Sequence, residues 1–324
     1  MTIRFRVSLT PVLKYLMIIA YSRTEIINDV NRRTINVPTI VLYIEIALAA
    51  VFGIALVAVI ARALIEPYLL EIDRAKILLS PSIAGNEDSE CRTLLRIAFF
   101  SDIHGAGCKV SARKLIDALF SEPADVILFG GDIADSVRTA DIGLDLLRRI
   151  AERAARYGIP CFAVRGNHDL RVTRENIEST GFRLLVNQFS PLRGLSDSRF
   201  LLIGMDDSGK KHRVWPQLPD IERSGIPSGY RIVLAHNPDY IRTQENPDRY
   251  GIQLSGHLHG GQIILPFNMQ FTVLRGDRLP REGIVQGLFS KNGISGYITR
   301  GVGCGVLPLR FLAKPQVSLI EVVG

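Results

Sequence analysis

Apolar positions along the chain follow two regimes. From residue 39 to 61 they are almost unbroken, with Glu45 the one charged residue, whereas from Leu94 onward short apolar runs alternate with amphipathic stretches and polar turns. The first stretch is long enough to cross a hydrocarbon core, which takes about 20 helical residues. It predicts a membrane anchor helix over 39–65, with an N-terminal segment over 1–38 and a connector over 66–92 that carries Pro67, Pro81 and Gly85. Glu45 lies near one end of the run, where it can reach the interface at lower cost than at the centre. The earlier apolar stretch 12–21 is interrupted by Lys14 and too short to span, and predicts an interfacial helix. Arg32 and Arg33 read as a positive flank, but Arg62, Arg74 and Lys76 stand on the other side, so basic residues do not orient the span.

Beyond residue 93 the pattern predicts three strand–motif–helix units in succession. The apolar run 94–100 ends in Ser-Asp-Ile-His and precedes a helix over 112–120 capped by Ser111. Residues 125–129 end in Gly-Gly-Asp and precede an amphipathic helix over 140–157; residues 160–164 end in Gly-Asn-His-Asp and precede a helix over 173–179. Such units build a parallel sheet with its functional loops at the carboxyl ends of the strands. The second half predicts strands over 183–186, 200–203, 231–234, 251–254, 262–265, 296–299 and 317–323. The expected architecture is α/β, two packed sheets flanked by helices, in one domain over 93–324. Long loops over 209–229 and 266–292 are candidates for substrate recognition.

Composition sharpens this in three ways. The mean hydropathy of +0.18 is high for a soluble enzyme, and the excess lies before residue 70. The net charge of +7 belongs entirely to residues 91–324, because residues 1–90 carry nine basic and nine acidic side chains. A basic catalytic part favours anionic substrates or an anionic membrane surface. No basic run interleaved with aromatics is present, so no nucleic-acid partner is expected. The four cysteines, Cys91, Cys108, Cys161 and Cys304, form no CxxC pair. Isolated thiols lean toward a reducing compartment, hence a single-pass protein of the cell membrane with its catalytic domain on the cytoplasmic face.

The histidines carry the chemistry. Five of the six fall in short motifs with acidic or amide partners: Asp102-Ile103-His104, Asn167-His168-Asp169, Ala235-His236-Asn237 and His257-Leu258-His259. Asp102 and His104, two positions apart at a strand end, are expected to point to one side and share a cation. Asp132 follows two glycines that let backbones approach closely, and its carboxylate can serve two ions at once. With Asn167, His236, His257 and His259 the set comprises seven oxygen and nitrogen donors and no thiolate. That is too many for one ion and suits two divalent ions sharing Asp132, manganese first, with iron and zinc also compatible.

Asp102-x-His104, Gly131-Asp132-x-x-Asp135, Gly166-Asn167-His168-Asp169, His236 and Gly256-His257-x-His259 resemble, in order, the five signature blocks of the calcineurin-like metallophosphoesterase superfamily. The resemblance implies a four-layer αββα sandwich and a di-metal centre. Asp102, His104 and His259 would bind one ion, Asn167, His236 and His257 the other, with Asp132 bridging. It also implies that His168 is the acid that protonates the leaving oxygen and that Asp135 holds its imidazole, Asp169 being the alternative holder. The tail, Gly256-His257-Leu258-His259-Gly260-Gly261-Gln262, Thr299-Arg300-Gly301-Val302-Gly303 and Leu307-Pro308-Leu309-Arg310, resembles the membrane-associated bacterial branch. Members of that branch act on phosphodiesters or pyrophosphates, among them UDP-2,3-diacylglucosamine, a lipid A precursor. The resemblance therefore implies hydrolysis of a phosphorylated, lipid-linked substrate. Action on soluble nucleotides or phosphoproteins, or a non-catalytic membrane scaffold, stand as alternatives. Arg300 and Arg310 are candidates for phosphate contacts or structural braces.

Overall fold

The computed structural model describes residues 37–79, 92–169, 171–194, 199–206, 216–243, 249–272 and 276–324. The expected interfacial helix, the Arg32-Arg33 pair and Cys91 lie outside these residues. Two units are distinguished, residues 1–61 and 62–324. The described residues of the first lie in helix α1 (Val37–Ile65), and within Pro38–Tyr68 an 18-residue window has a mean hydropathy of 2.7, long and apolar enough to cross a membrane. Its apolar side chains, Phe52, Ile54 and Val57 among them, are exposed.

The second unit holds two six-stranded sheets. Strand β1 (Glu71–Leu78) lies at an edge beside β12 (Gln316–Val323), followed by β2 (Thr93–Phe100), β3 (Val126–Phe129), β4 (Cys161–Ala163) and β5 (Arg183–Leu184). Only β12 against β2 is antiparallel in this sheet. The other sheet runs β10 (Gly287–Lys291), β11 (Ile294–Ile298), β9 (Ile252–Ser255), β8 (Arg231–Leu234), β7 (Arg199–Gly204) and β6 (Gln188–Arg193), with parallel pairing at its centre and antiparallel pairs at both edges.

Alternation along each strand assigns the two faces. Ile97, Phe99, Val126 and Leu128 meet Phe200, Leu202, Ile232, Leu234, Ile252 and Leu254 in the layer between the sheets. Ala98, Phe100, Ile127 and Phe129 point the other way, onto helices α2 (Ala112–Leu119) and α3 (Val137–Ala155), where Leu115, Leu119, Leu147 and Ile150 are buried. Burying one such side chain stabilises by about 1.5–3 kcal/mol. Helix α2 starts where Ser111 accepts from the Lys114 N–H, and α4 (Arg174–Glu178) starts with a capping box from Thr173 to Asn176. The outer face of the second sheet, with Leu201, Ile203 and Val233, is covered by short turns carrying Tyr240, Ile241 and Leu279. The fourth layer there consists of 3₁₀ segments and the short helix α5 (Met269–Thr272).

Three sequence expectations are corrected. The stretch expected as a connector contributes β1, which pairs with β12 along its length. Residues 262–265 are not a strand; Ile263 makes one isolated bridge to Phe311. The loop expected over 266–292 contains α5, a 3₁₀ turn at Leu279–Glu282 and β10.

Candidate metal centre

Register brings the motif residues to one level. Phe100 pairs with Phe129, and Phe129 with Ala163, so Asp102, Asp132 and Asn167 follow their strands at neighbouring heights. In the other sheet Leu234 pairs with Leu254, which sets His236 beside His257 and His259. The carboxyl ends of five central parallel strands therefore supply all seven expected donors.

The local backbone departs from what strand alternation predicts. Asp102, His104, Asp132, His257 and His259 all have φ between +52° and +70°. Each such non-glycine residue costs about 1–2 kcal/mol, so Asp102 and His104 converge through left-handed turns instead of sharing the face of a strand. Interstrand bonds hold the turns: Asp102 N–H donates to Gly131 O at 2.8 Å and His104 N–H to Asp132 O at 3.1 Å. Gly131, at φ +95°, has Gly166 N only 2.6 Å from where its Cβ would stand, so no larger residue fits there.

The donor atoms form adjoining groups. Asp102, His104 and His259 offer one ligand atom each within 4.8 Å of one another, as do Asp132, His236 and His257. The Nε2 atoms of His104 and His259 lie 3.0 Å apart, and Asn167 Oδ1 is 3.2 Å from His236 Nε2. Asp132 Oδ2 stands between the groups, 3.6 Å from His104 Nε2 and 3.2 Å from His236 Nε2. The outer nitrogens are occupied: His104 Nδ1 contacts Asp135 at 2.5 Å and His236 Nδ1 donates to Gly130 O at 2.7 Å. These outward bonds leave the Nε2 lone pairs facing inward, the tautomer a metal ligand requires.

Electrostatics fits cations as well. Burial would lower the His104 imidazole, but the Asp135 hydrogen bond and the charges of Asp132 and Asp102 outweigh it and raise its pKa. Burial would raise the Asp132 carboxyl, but His236 and His104 hold it well below the ordinary carboxylate range. Five nearly buried acids and histidines with inward lone pairs need positive charge among them, and the mixed oxygen and nitrogen set suits divalent ions.

His168 and its two possible carboxylates separate clearly. His168 is exposed at the rim, its Nδ1 3.3 Å from Asp135 Oδ1 and its backbone N–H donating to Asp132 Oδ1 at 2.9 Å. Asp135 thus touches both His168 and His104. Asp169 is fully buried and accepts from the backbone N–H groups of Asp132, Ile133 and Gly166 at 2.6–2.8 Å. Burial and the neighbouring Asp132 charge push its pKa up to about 7. It braces the two loops and does not face His168.

Asp277, Arg165 and Asp206 were not singled out from the sequence, whereas Arg300 and Arg310 were. Asp277 lies 3.2 Å from His257 Nε2, and Arg165 forms a two-pronged pair with the buried Asp206 at 2.8 and 2.7 Å just before Gly166. Neither belongs to a motif; the acid of each pair reaches the site from a distant loop. Arg310 is wholly buried, and its guanidinium donates to the carbonyls of Ala313, Arg300, Gly301 and Gly303 and approaches His259 Nδ1 at 3.4 Å. Arg300 pairs with Glu71 on β1 at 2.9 Å. Both arginines brace the chain.

Comparison with known proteins agrees with this geometry. The family model described as calcineurin-like phosphoesterase matches residues 95–261. The phosphodiesterase YaeI of Escherichia coli K12 is 30% identical over 244 residues, covering 70% of this chain and 82% of the relative. The uncharacterized metallophosphoesterase YkoQ of Bacillus subtilis is 27% identical over 249 residues, 74% of this chain and 88% of the relative. YkuE of the same organism, also an uncharacterized metallophosphoesterase, is 28% identical over 242 residues, 69% and 77%. The chain belongs to the calcineurin-like phosphoesterase family and is a metal-dependent hydrolase of phosphoric esters.

Proposed function

We propose that this hydrolase cleaves a phosphodiester or pyrophosphate bond in a lipid-linked substrate, with UDP-2,3-diacylglucosamine the first candidate, from a single-pass anchor at the cell membrane. The observation that carries the lipid reading is continuity between the end of α1 and the site. Arg310 N–H donates to Ala63 O at 3.1 Å in the last turn of that helix, while the Arg310 guanidinium reaches His259. The free thiols of Cys108, Cys161 and Cys304 favour the cytoplasmic face.

In this reading Asp102, His104 and His259 would hold one divalent ion and Asn167, His236 and His257 the other, with Asp132 available to both, manganese being the first choice. Such ions supply charge neutralisation at the phosphoryl oxygens and acidify water. The chain does the rest. The buried donors would hold those ions in place; water adds at phosphorus and releases a proton to solvent as the ester or anhydride bond breaks, and His168, held by Asp135, gives its proton to the departing oxygen.

Asp277 orients His257 from behind. Asp277→Asn is expected to weaken manganese binding by about 10–100-fold, with the fold intact by circular dichroism. Titration calorimetry giving the wild-type affinity would remove Asp277 from this role.

The lipid reading is checked by release of UMP from UDP-2,3-diacylglucosamine in detergent with manganese, expected to be lost with EDTA and restored by the metal. Hydrolysis of bis-p-nitrophenyl phosphate without any UMP release would favour a general phosphodiesterase, the reading that the name of the YaeI relative suggests. Hydrolysis of neither would leave the scaffold.

A further inference from the structure

Two uncharged loops beside the site expose apolar side chains that the fold does not use. Residues 260–272 and 301–309 contain no charged side chain. In the first, Phe267 is 95% exposed and held at φ +57°, with Leu265 and Met269 also exposed. In the second, Val306 is 95% exposed, followed by Leu307, and beyond the buried Arg310 Leu312 is also exposed, at φ +60°. A phenylalanine kept in water by a left-handed backbone is disfavoured on both counts, and among the described residues no side chain covers it.

The two loops are tied together and to the end of α1. Ile264 N–H donates to Phe311 O at 3.0 Å and Phe311 N–H to Gln262 O at 2.8 Å. The Gln262 side chain donates to Leu307 O and accepts from Gly305 N–H, both at 2.8 Å. From the same segment, Arg310 N–H bonds Ala63 O, Ala313 N–H donates to the buried Glu66 carboxylate at 2.5 Å, and the Phe311 ring lies under the Arg62 guanidinium at 5.8 Å. Exposed Leu64, Ile65, Tyr68 and Leu69 flank this junction. The site is equally close: a Cβ added at Gly305 would stand 4.0 Å from His259 Nε2.

We infer that the loops bearing Phe267 and Val306 form a second membrane contact, dipping into the bilayer interface together with the exposed residues Leu64, Ile65, Tyr68 and Leu69 so that the metal centre opens at headgroup level. The occupant is lipid because the patch continues from the last turn of the one described helix apolar enough to span, and because its exposed tips are apolar with no charge among them. The inference rests on the membrane reading of α1 and deepens it: it accounts for how a phosphate at the bilayer surface reaches buried ligands without leaving the membrane.

The test uses the full chain in phosphatidylcholine nanodiscs, one chain per disc. With the single tryptophan removed as Trp215→Phe, reporters are placed singly as Phe267→Trp, Val306→Trp, Leu56→Trp within α1, and Tyr157→Trp at the exposed end of α3. Turnover of bis-p-nitrophenyl phosphate, expected to be unchanged, checks that each variant folds, and separate reporters in the two loops guard against failure of either. Brominated lipid is expected to quench Phe267→Trp, Val306→Trp and Leu56→Trp but not Tyr157→Trp, which aqueous iodide quenches instead. If Leu56→Trp is quenched by lipid while both loop reporters respond only to iodide, the loop contact is wrong and the anchor stands. Quenching of the loop reporters without Leu56→Trp would keep the contact and remove the anchor; quenching of none removes both. A loop reporter indifferent to lipid bromine, whose emission shifts with protein concentration in detergent, would assign the patch to a second copy of the chain and overturn the proposal.

Discussion

Replacing Asp132 with alanine is expected to abolish hydrolysis of bis-p-nitrophenyl phosphate, a fall of at least about 10³-fold or some 4 kcal/mol of transition-state stabilisation, at saturating manganese. The size follows from position. Asp132 Oδ2 lies within 3.6 Å of both His104 Nε2 and His236 Nε2, so its loss disconnects two donor groups at once. Folding should survive, because apart from its contacts with His236 and His104 the carboxylate's tie to the backbone is a bond from the His168 N–H, worth about 1–3 kcal/mol if left unmade. Asp132→Asn keeps that acceptor and the volume but withdraws the negative charge, and is expected to be nearly as inactive. Both variants should melt cooperatively close to the parent protein. Near-normal turnover by either, with metal stoichiometry unchanged in elemental analysis, would sink the bridging role.

His168→Gln should behave differently, in a way that depends on substrate. Turnover of alkyl phosphodiesters, whose leaving oxygen needs a proton, is expected to fall about 10²–10⁴-fold, whereas p-nitrophenyl esters should lose far less. His168 is exposed at the rim while the donors behind it are mostly buried, so its removal leaves the metal centre intact and takes away a proton donor. Asp135, 3.3 Å from His168 Nδ1 and 2.5 Å from His104 Nδ1, serves both histidines. Asp135→Asn is therefore expected to mix the two phenotypes, and His168→Gln is the cleaner probe. Equal slowing across leaving groups, read from a plot of rate against leaving-group pKa, would argue against acid catalysis.

The secondary structure was most legible where strands lie inside a sheet and least where they lie at an edge. The runs ending at Phe100, Phe129, Ala163 and Leu234 are buried on both faces over their last three or more residues and read as apolar stretches, Arg96 being the one charge inside the first. The three strands missed, β1, β6 and β10, are all edge strands. Strand β1 carries Glu71, Asp73, Arg74 and Lys76, and β6 contains Pro191. Charge and proline are how edges avoid pairing with other chains, and they erase the apolar signal.

By itself the sequence determined which residue types meet at a common chemistry: carboxylate, amide and imidazole donors placed just beyond successive apolar runs suit divalent cations, and the resemblance of those motifs to the calcineurin-like metallophosphoesterases implies hydrolysis of a phosphoester. It also determined a helix able to span a bilayer, because length and hydropathy are properties of the chain alone. Only the tertiary structure decided how those side chains converge, through five left-handed motif residues that strand periodicity does not encode. Only it decided that Asp135 and not Asp169 faces His168, that Asp277 backs His257, and that Arg310 is a buried brace between the helix end and His259. Each of these joins residues far apart in the chain. Such pairings arise from sheet register and burial, and no local pattern of polar and apolar positions specifies them.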